Sequence, residues 1–258
     1  MAAEMKRGQV AIWVILGLAL VGSIILFFLL SRDSNILTPE PTGIADAKSF
    51  IRQCVSEHTK EVVNEILPRG GFLAPRNSIF YNEYDVEYIC ENVGFYHPCT
   101  IQHPVLIREM EKEIYNYVYP RAEECFSELK TRIEDDGGTV SIGSGMNIEI
   151  ELVQDKIDVN IERNVNIEKR GVAETYDNFE FSMISPAYNL GAIALEIASQ
   201  ESQYCNFENV GYSILYPRYE IMKYTMSVQP VEIYTIKDLQ TDKFMNIAVR
   251  SCASPPGI

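Results

Sequence analysis

Residues 146–170 read MNIEIELVQDKIDVNIERNVNIEKR, and their hydropathy alternates with a period of two. Three runs carry it: 146–153 with Ile148, Ile150 and Leu152, 156–163 with Ile157, Val159 and Ile161, and 165–170 with Val165 and Ile167. Successive side chains of a strand point to opposite faces, so each run has one apolar and one polar face. Gln154-Asp155 and Asn164 read as the breaks of an antiparallel β-meander. Its apolar face needs a cover, and helices are the expected one.

Helical periodicity lies on both sides. From Asp46, Phe50, Ile51, Cys54, Val55, Val62 and Ile66 recur at three- and four-residue intervals, with Glu57, Lys60, Glu61 and Glu65 opposite. Pro68 and Gly70-Gly71 end that helix. A second spans 105–133 on Ile107, Met110, Ile114, Tyr117, Val118, Cys125 and Leu129, where Pro120 is expected to kink or split it. Between them, residues 72–104 read as irregular and tyrosine-rich, with a short strand at 78–81. Downstream, 179–184 reads as a strand, 188–203 as a helix, and 219–226, 231–237 and 244–250 as strands. The expected class is α+β, with helices packed on antiparallel β-meanders, as one domain or two packed lobes.

Residues 10–30 read VAIWVILGLALVGSIILFFLL, without an ionisable group. Twenty-one helical residues span about 31 Å, which matches the roughly 30 Å hydrocarbon core of a bilayer. Lys6 and Arg7 precede this run, while Arg32 and Asp33 cancel after it, so the N-terminus is expected in the cytoplasm. The domain plan is then a signal-like segment 1–9, a single transmembrane helix 10–30, a linker 31–44 stiffened by Pro39 and Pro41, a cysteine-containing helical region 45–137 and an α+β region 138–258. The expected location is the cytoplasmic membrane, single-pass, with the C-terminal domain outside and the bilayer as partner of residues 10–30.

Lys6-Arg7-Gly8-Gln9-Val10, running straight into the apolar segment, resembles the class III signal of archaeal type IV pilin-like proteins. The resemblance implies cleavage between Gly8 and Gln9, leaving the helix on the mature chain as filament core or anchor. Trp13 stands at the fifth mature position, where many pilins carry an acidic residue, so the resemblance speaks for processing more than for filament assembly. The KRGQV start, a cysteine on each of the first two helices, Pro68-Arg69-Gly70-Gly71-Phe72 and the late IYTIKD strand also resemble uncharacterised membrane-anchored proteins of small-genome archaea. That likeness implies a surface location and no activity.

The formal charge is −14; residues 1–31 carry a net +1, which leaves −15 on the exported part. Such a surface repels nucleic acid and anionic lipid headgroups, because binding either depends on cationic contacts. All six cysteines, Cys54, Cys90, Cys99, Cys125, Cys205 and Cys252, follow the apolar run. An even number in an exported segment suits disulfides, and six allow fifteen pairings. Following the elements gives Cys54 with Cys125, Cys90 with Cys99, and Cys205 with Cys252.

Cys90, His97, Cys99 and His103 offer two thiolates and two imidazoles for zinc, but in an oxidising space a disulfide-clasped loop is the stronger reading. No Gly-x-Ser-x-Gly, His-Glu-x-x-His or Gly-rich phosphate loop occurs. No cofactor and no catalytic or metal-binding residue is assigned. The fifteen tyrosines read as rings half-buried over the core or as contact surface, and residues 76–104 are the preferred binding face. The expected function is that of a non-enzymatic surface protein with an interaction, self-assembly or pilin-like role. The alternative is an anchored enzyme or ligand-binding domain.

Overall fold

Alternation at 147–169 produces two strands rather than three. In the computed structural model, which describes residues 20–21, 45–94, 97–226 and 231–250, β5 (Asn147–Val153) pairs antiparallel with β6 (Lys156–Lys169). β6 then runs on past Asn164 and pairs along its other edge with β7 (Val172–Ile184). The register shifts between Glu162 and Val165: Arg163 and Asn164 face the single residue Asp177, a β-bulge where a turn was expected. The true turn is Arg170-Gly171, both at positive φ, which suits a tight hairpin. β4 (Thr139–Ile142) shares an edge of β6 with β5, so only β5-β6-β7 form a meander.

Helices cover the apolar face, as period-two burial demands. α1 (Ala45–Ile66) runs into a 3-10 turn at Leu67–Arg69, and α2 (Leu106–Asp135) packs on β4 and β5. Pro120 does not split α2. It sits on the exposed face, where solvent takes up the freed carbonyl, while Val118 and Ala122 beside it are fully buried. α3 (Ala187–Tyr204) packs mainly on a second sheet.

That second sheet runs β1-β2-β10-β9-β8, with β3 beside β2: β1 (Ser78–Tyr81), β2 (Tyr84–Glu91), β3 (Thr100–Ile101), β8 (Tyr219–Thr225), β9 (Val231–Asp238) and β10 (Lys243–Arg250). It is mixed, because β10 pairs parallel with β2, which corrects the all-antiparallel expectation. β1 falls on the short strand expected at 78–81, while the rest of the stretch expected to be irregular supplies two more, β2 and β3. A short helix, α4 (Asn209–Leu215), leads into β8 and had no counterpart in the sequence reading.

By its contacts the chain divides into residues 1–45 and 46–258, and the second unit holds one continuous core. Ile51, Val55, Ile114, Phe126, Ile161, Val165, Ile197, Tyr234 and Ile247 all belong to it, so three helices and both sheets share it. Phe126 meets Phe179 edge-on at 5.1 Å, and the Arg163 guanidinium lies 4.8 Å from its ring centroid. A smaller cluster of Val86, Tyr88, Val231, Ile233 and Ala248 occupies the opposite face of the second sheet, rimmed by Tyr81 and Tyr84. Arg218 ties the sheets together: it reaches Asp155 in the β5–β6 turn at 2.6 Å and the fully buried Asp238 through two bonds of 3.0 Å. Among the described residues, no helix is long and apolar enough to cross a membrane; of residues 10–30 only 20–21 are among them.

Candidate functional site

The end of α1 makes the site. Gly70 and Gly71 hold φ of +83° and +98°, a region open to glycine, and Gly71 N–H donates to Ile66 O at 2.8 Å to close the helix. A Cβ on Gly70 would stand 3.1 Å from Glu87 Cβ and 3.4 Å from Asn246 O, so the chain passes tightly between β2 and β10. Asn246 fixes this passage by donating its side-chain amide to Pro68 O at 3.0 Å. Beyond it, Leu73 N–H donates to Glu113 of α2 at 3.1 Å, and Phe72 turns inward.

A cavity of about 470 Å³ opens between this segment, β2 and α2, lined in part by Phe72, Arg76, Glu87, His103, Glu109 and Lys112. Its buried floor is Glu87, 3 % exposed, which accepts from Arg76 N–H at 2.6 Å and Asn77 N–H at 3.2 Å. His103 stands between two carboxylates, Nε2 3.4 Å from Glu87 and Nδ1 3.0 Å from Glu109. Phe72 lies against the imidazole with ring centroids 4.6 Å apart. Burial disfavours the imidazolium, but hydrogen bonds and attraction from both carboxylates outweigh it, and the His103 pKa is raised above its ordinary 6.5.

With both ring nitrogens engaged, the imidazolium is fixed in orientation. The lining holds no serine, threonine or cysteine as a nucleophile. Such an arrangement offers charged and hydrogen-bonding groups to a polar ligand group. A wider groove of about 930 Å³ along α1 and the end of β7 has a mostly exposed lining, whose one buried member, Met183, is apolar.

No protein-family model matches this chain, and neither a curated protein nor a solved structure does. The site therefore rests on its own geometry.

Cys54 on α1 and Cys125 on α2 are joined, with Cα atoms 6.0 Å apart; Cys90 and Cys99 are joined at 5.4 Å. The second bond removes both thiolates from the zinc alternative, and its two histidines part: His97 is exposed while His103 enters the pocket. His58 lies near the Cys54–Cys125 sulfurs, but these are oxidised, and the imidazole faces Glu61 at 3.4 Å. Cys205 caps α3 and is disulfide-bonded, whereas Cys252, Gly8 and Gln9 lie outside the described residues. Of the preferred face 76–104, Arg76, Glu87 and His103 line the pocket. Glu87 and Glu109 were missed. The available signal was a carboxylate at position 87 inside the apolar run Val86-Tyr88-Ile89.

A second buried polar group lies under α3. The Tyr234 hydroxyl donates to the fully buried Glu201 and stands 3.1 Å from Glu232, which Lys223 approaches at 2.9 Å. Burial, above all, holds the Glu232 pKa above the usual carboxylate range. These groups join α3 to β8 and β9.

Proposed function

We propose that this chain is a non-enzymatic, membrane-tethered surface protein whose exported domain takes part in interaction or surface assembly, with residues 10–30 as the tether. The observation that carries this reading is the pair of disulfides, Cys54–Cys125 and Cys90–Cys99, within the unit that follows the apolar run. Such bonds form and persist outside the reducing cytoplasm. The pilin-like start at Gly8-Gln9 suits delivery to that side, and the pocket around His103 suits a polar group of a partner. A second reading, a ligand-binding or enzymatic domain on the same tether, is favoured by Glu87, His103 and Glu109 converging in one cavity.

Alkaline carbonate washing of native membranes tests the tether. The chain is expected to stay in the pellet until detergent is added. Release by carbonate alone would contradict an embedded helix.

A further inference from the structure

α4 is amphipathic in the reverse sense of an ordinary surface helix. Its polar side chains face the protein: Asn209 donates to Ile221 O at 2.9 Å, and Ser213 Oγ accepts from Ile221 N–H at 3.2 Å. Glu208 caps it by accepting from Gly211 N–H. Just before it, the buried Phe207 meets Tyr234 edge-on at 5.8 Å and anchors the segment. The apolar side chains therefore point outward, with Val210, Ile214 and Leu215 at 61, 74 and 75 % exposure and one turn separating Val210 from Ile214. Tyr204 and Tyr216, also exposed, flank them, and residues 209–216 contain no charge. Polar contacts that fix a helix with its apolar side outward point to a surface that something covers.

We propose that α4 is a second membrane contact: Ile214, Leu215 and Val210 dip into the interfacial layer of the same bilayer that holds residues 10–30. This rests on the tethered reading above. The linker 31–44 can extend up to about 46 Å, and a unit the size of residues 46–258 has a radius of gyration of about 17 Å, so the tether reaches a distance comparable with the unit's own width and leaves it room to turn toward the lipid. Tethering keeps the patch at high effective concentration beside the bilayer, so a few apolar side chains suffice. Tyrosine, with an apolar ring and a polar tip, suits the interface on either side. A second copy of the chain is a poorer occupant, because −15 on each exported part opposes close approach. The absence of charge from α4 points to apolar insertion rather than attraction to anionic headgroups.

The test uses the full chain in bilayer discs of phosphatidylcholine. The sequence has one tryptophan, so Trp13→Phe leaves a silent background into which Ile214→Trp, or Leu215→Trp as a second reporter, is placed. Insertion predicts blue-shifted emission that is lost in discs of acyl-brominated lipid and resists aqueous iodide. Quenching by iodide, or shielding from both quenchers through protein contact, would overturn the proposal. A chain that fails to enter the discs would instead defeat the tethered reading itself.

Discussion

Two carboxylates, Glu87 on β2 and Glu109 on α2, favour the charged form of His103. Because the folded-state pKa is raised, the imidazolium contributes its full stabilisation below about pH 6.5. That contribution is lost as pH rises through the folded-state value. Glu87→Gln keeps the shape but removes the buried charge, and is expected to lower stability by about 1–3 kcal/mol at pH 6. It should also bring the His103 titration, followed by NMR of the imidazole protons, back toward 6.5. An ordinary His103 pKa in the unaltered protein would contradict this account. Of the three residues, the sequence marks only the histidine, as one of four potential zinc ligands in a loop. Glu109 lies six residues beyond it on α2, and Glu87 reaches it because β3, which ends two residues before His103, pairs with β2.

Elements whose periodicity matched their burial were readable. Ile148, Ile150 and Leu152 on β5 alternate cleanly, and so do Ile157, Val159 and Ile161 on β6, because only one face of that sheet enters the core. β2 was overlooked for the opposite reason: Val86 to Cys90 are five consecutive buried residues, so no alternation exists to find. Its parallel pairing with β10 joins segments far apart in the chain, which no local pattern records. α4 escaped because its amphipathicity is inverted. Asn164 reads as a turn because it breaks the apolar run, yet a bulge needs only one extra residue. Deleting Asn164 should therefore hurt far more than Asn164→Ala. Without the extra residue, Val165 and Ile167, both buried, face outward or the strand slips. Two such side chains are worth about 3–6 kcal/mol, which denaturant unfolding can read. Equal stabilities for the deletion and the alanine variant would contradict the bulge.

For the molecule as a whole, the Cys54–Cys125 bond spans 71 residues and ties α1 to α2 across the shared core. Closing a loop of that length is worth about 4 kcal/mol in the chain-entropy account, against roughly 2.5 for the short Cys90–Cys99 loop. Replacing Cys54 and Cys125 by serine should accordingly lower the unfolding midpoint more than the same change at Cys90 and Cys99. The reverse order would mean that strain or unfolded-state structure, not loop length, governs these bonds. Both pairings agree with the choice that follows the elements, helix-borne Cys54 with Cys125 and loop-bracketing Cys90 with Cys99, although the cysteine count alone allows fifteen.

The reading of the molecule turns on which side of the lipid its disulfide-bonded unit occupies. Protease added to sealed native cells tests this directly, with a cytoplasmic protein followed alongside. An exported domain predicts that epitopes within residues 46–258 disappear while the cytoplasmic marker stays whole. Survival of those epitopes until the cells are opened, in a chain that protease cleaves readily in lysate, would place the domain inside and contradict the account.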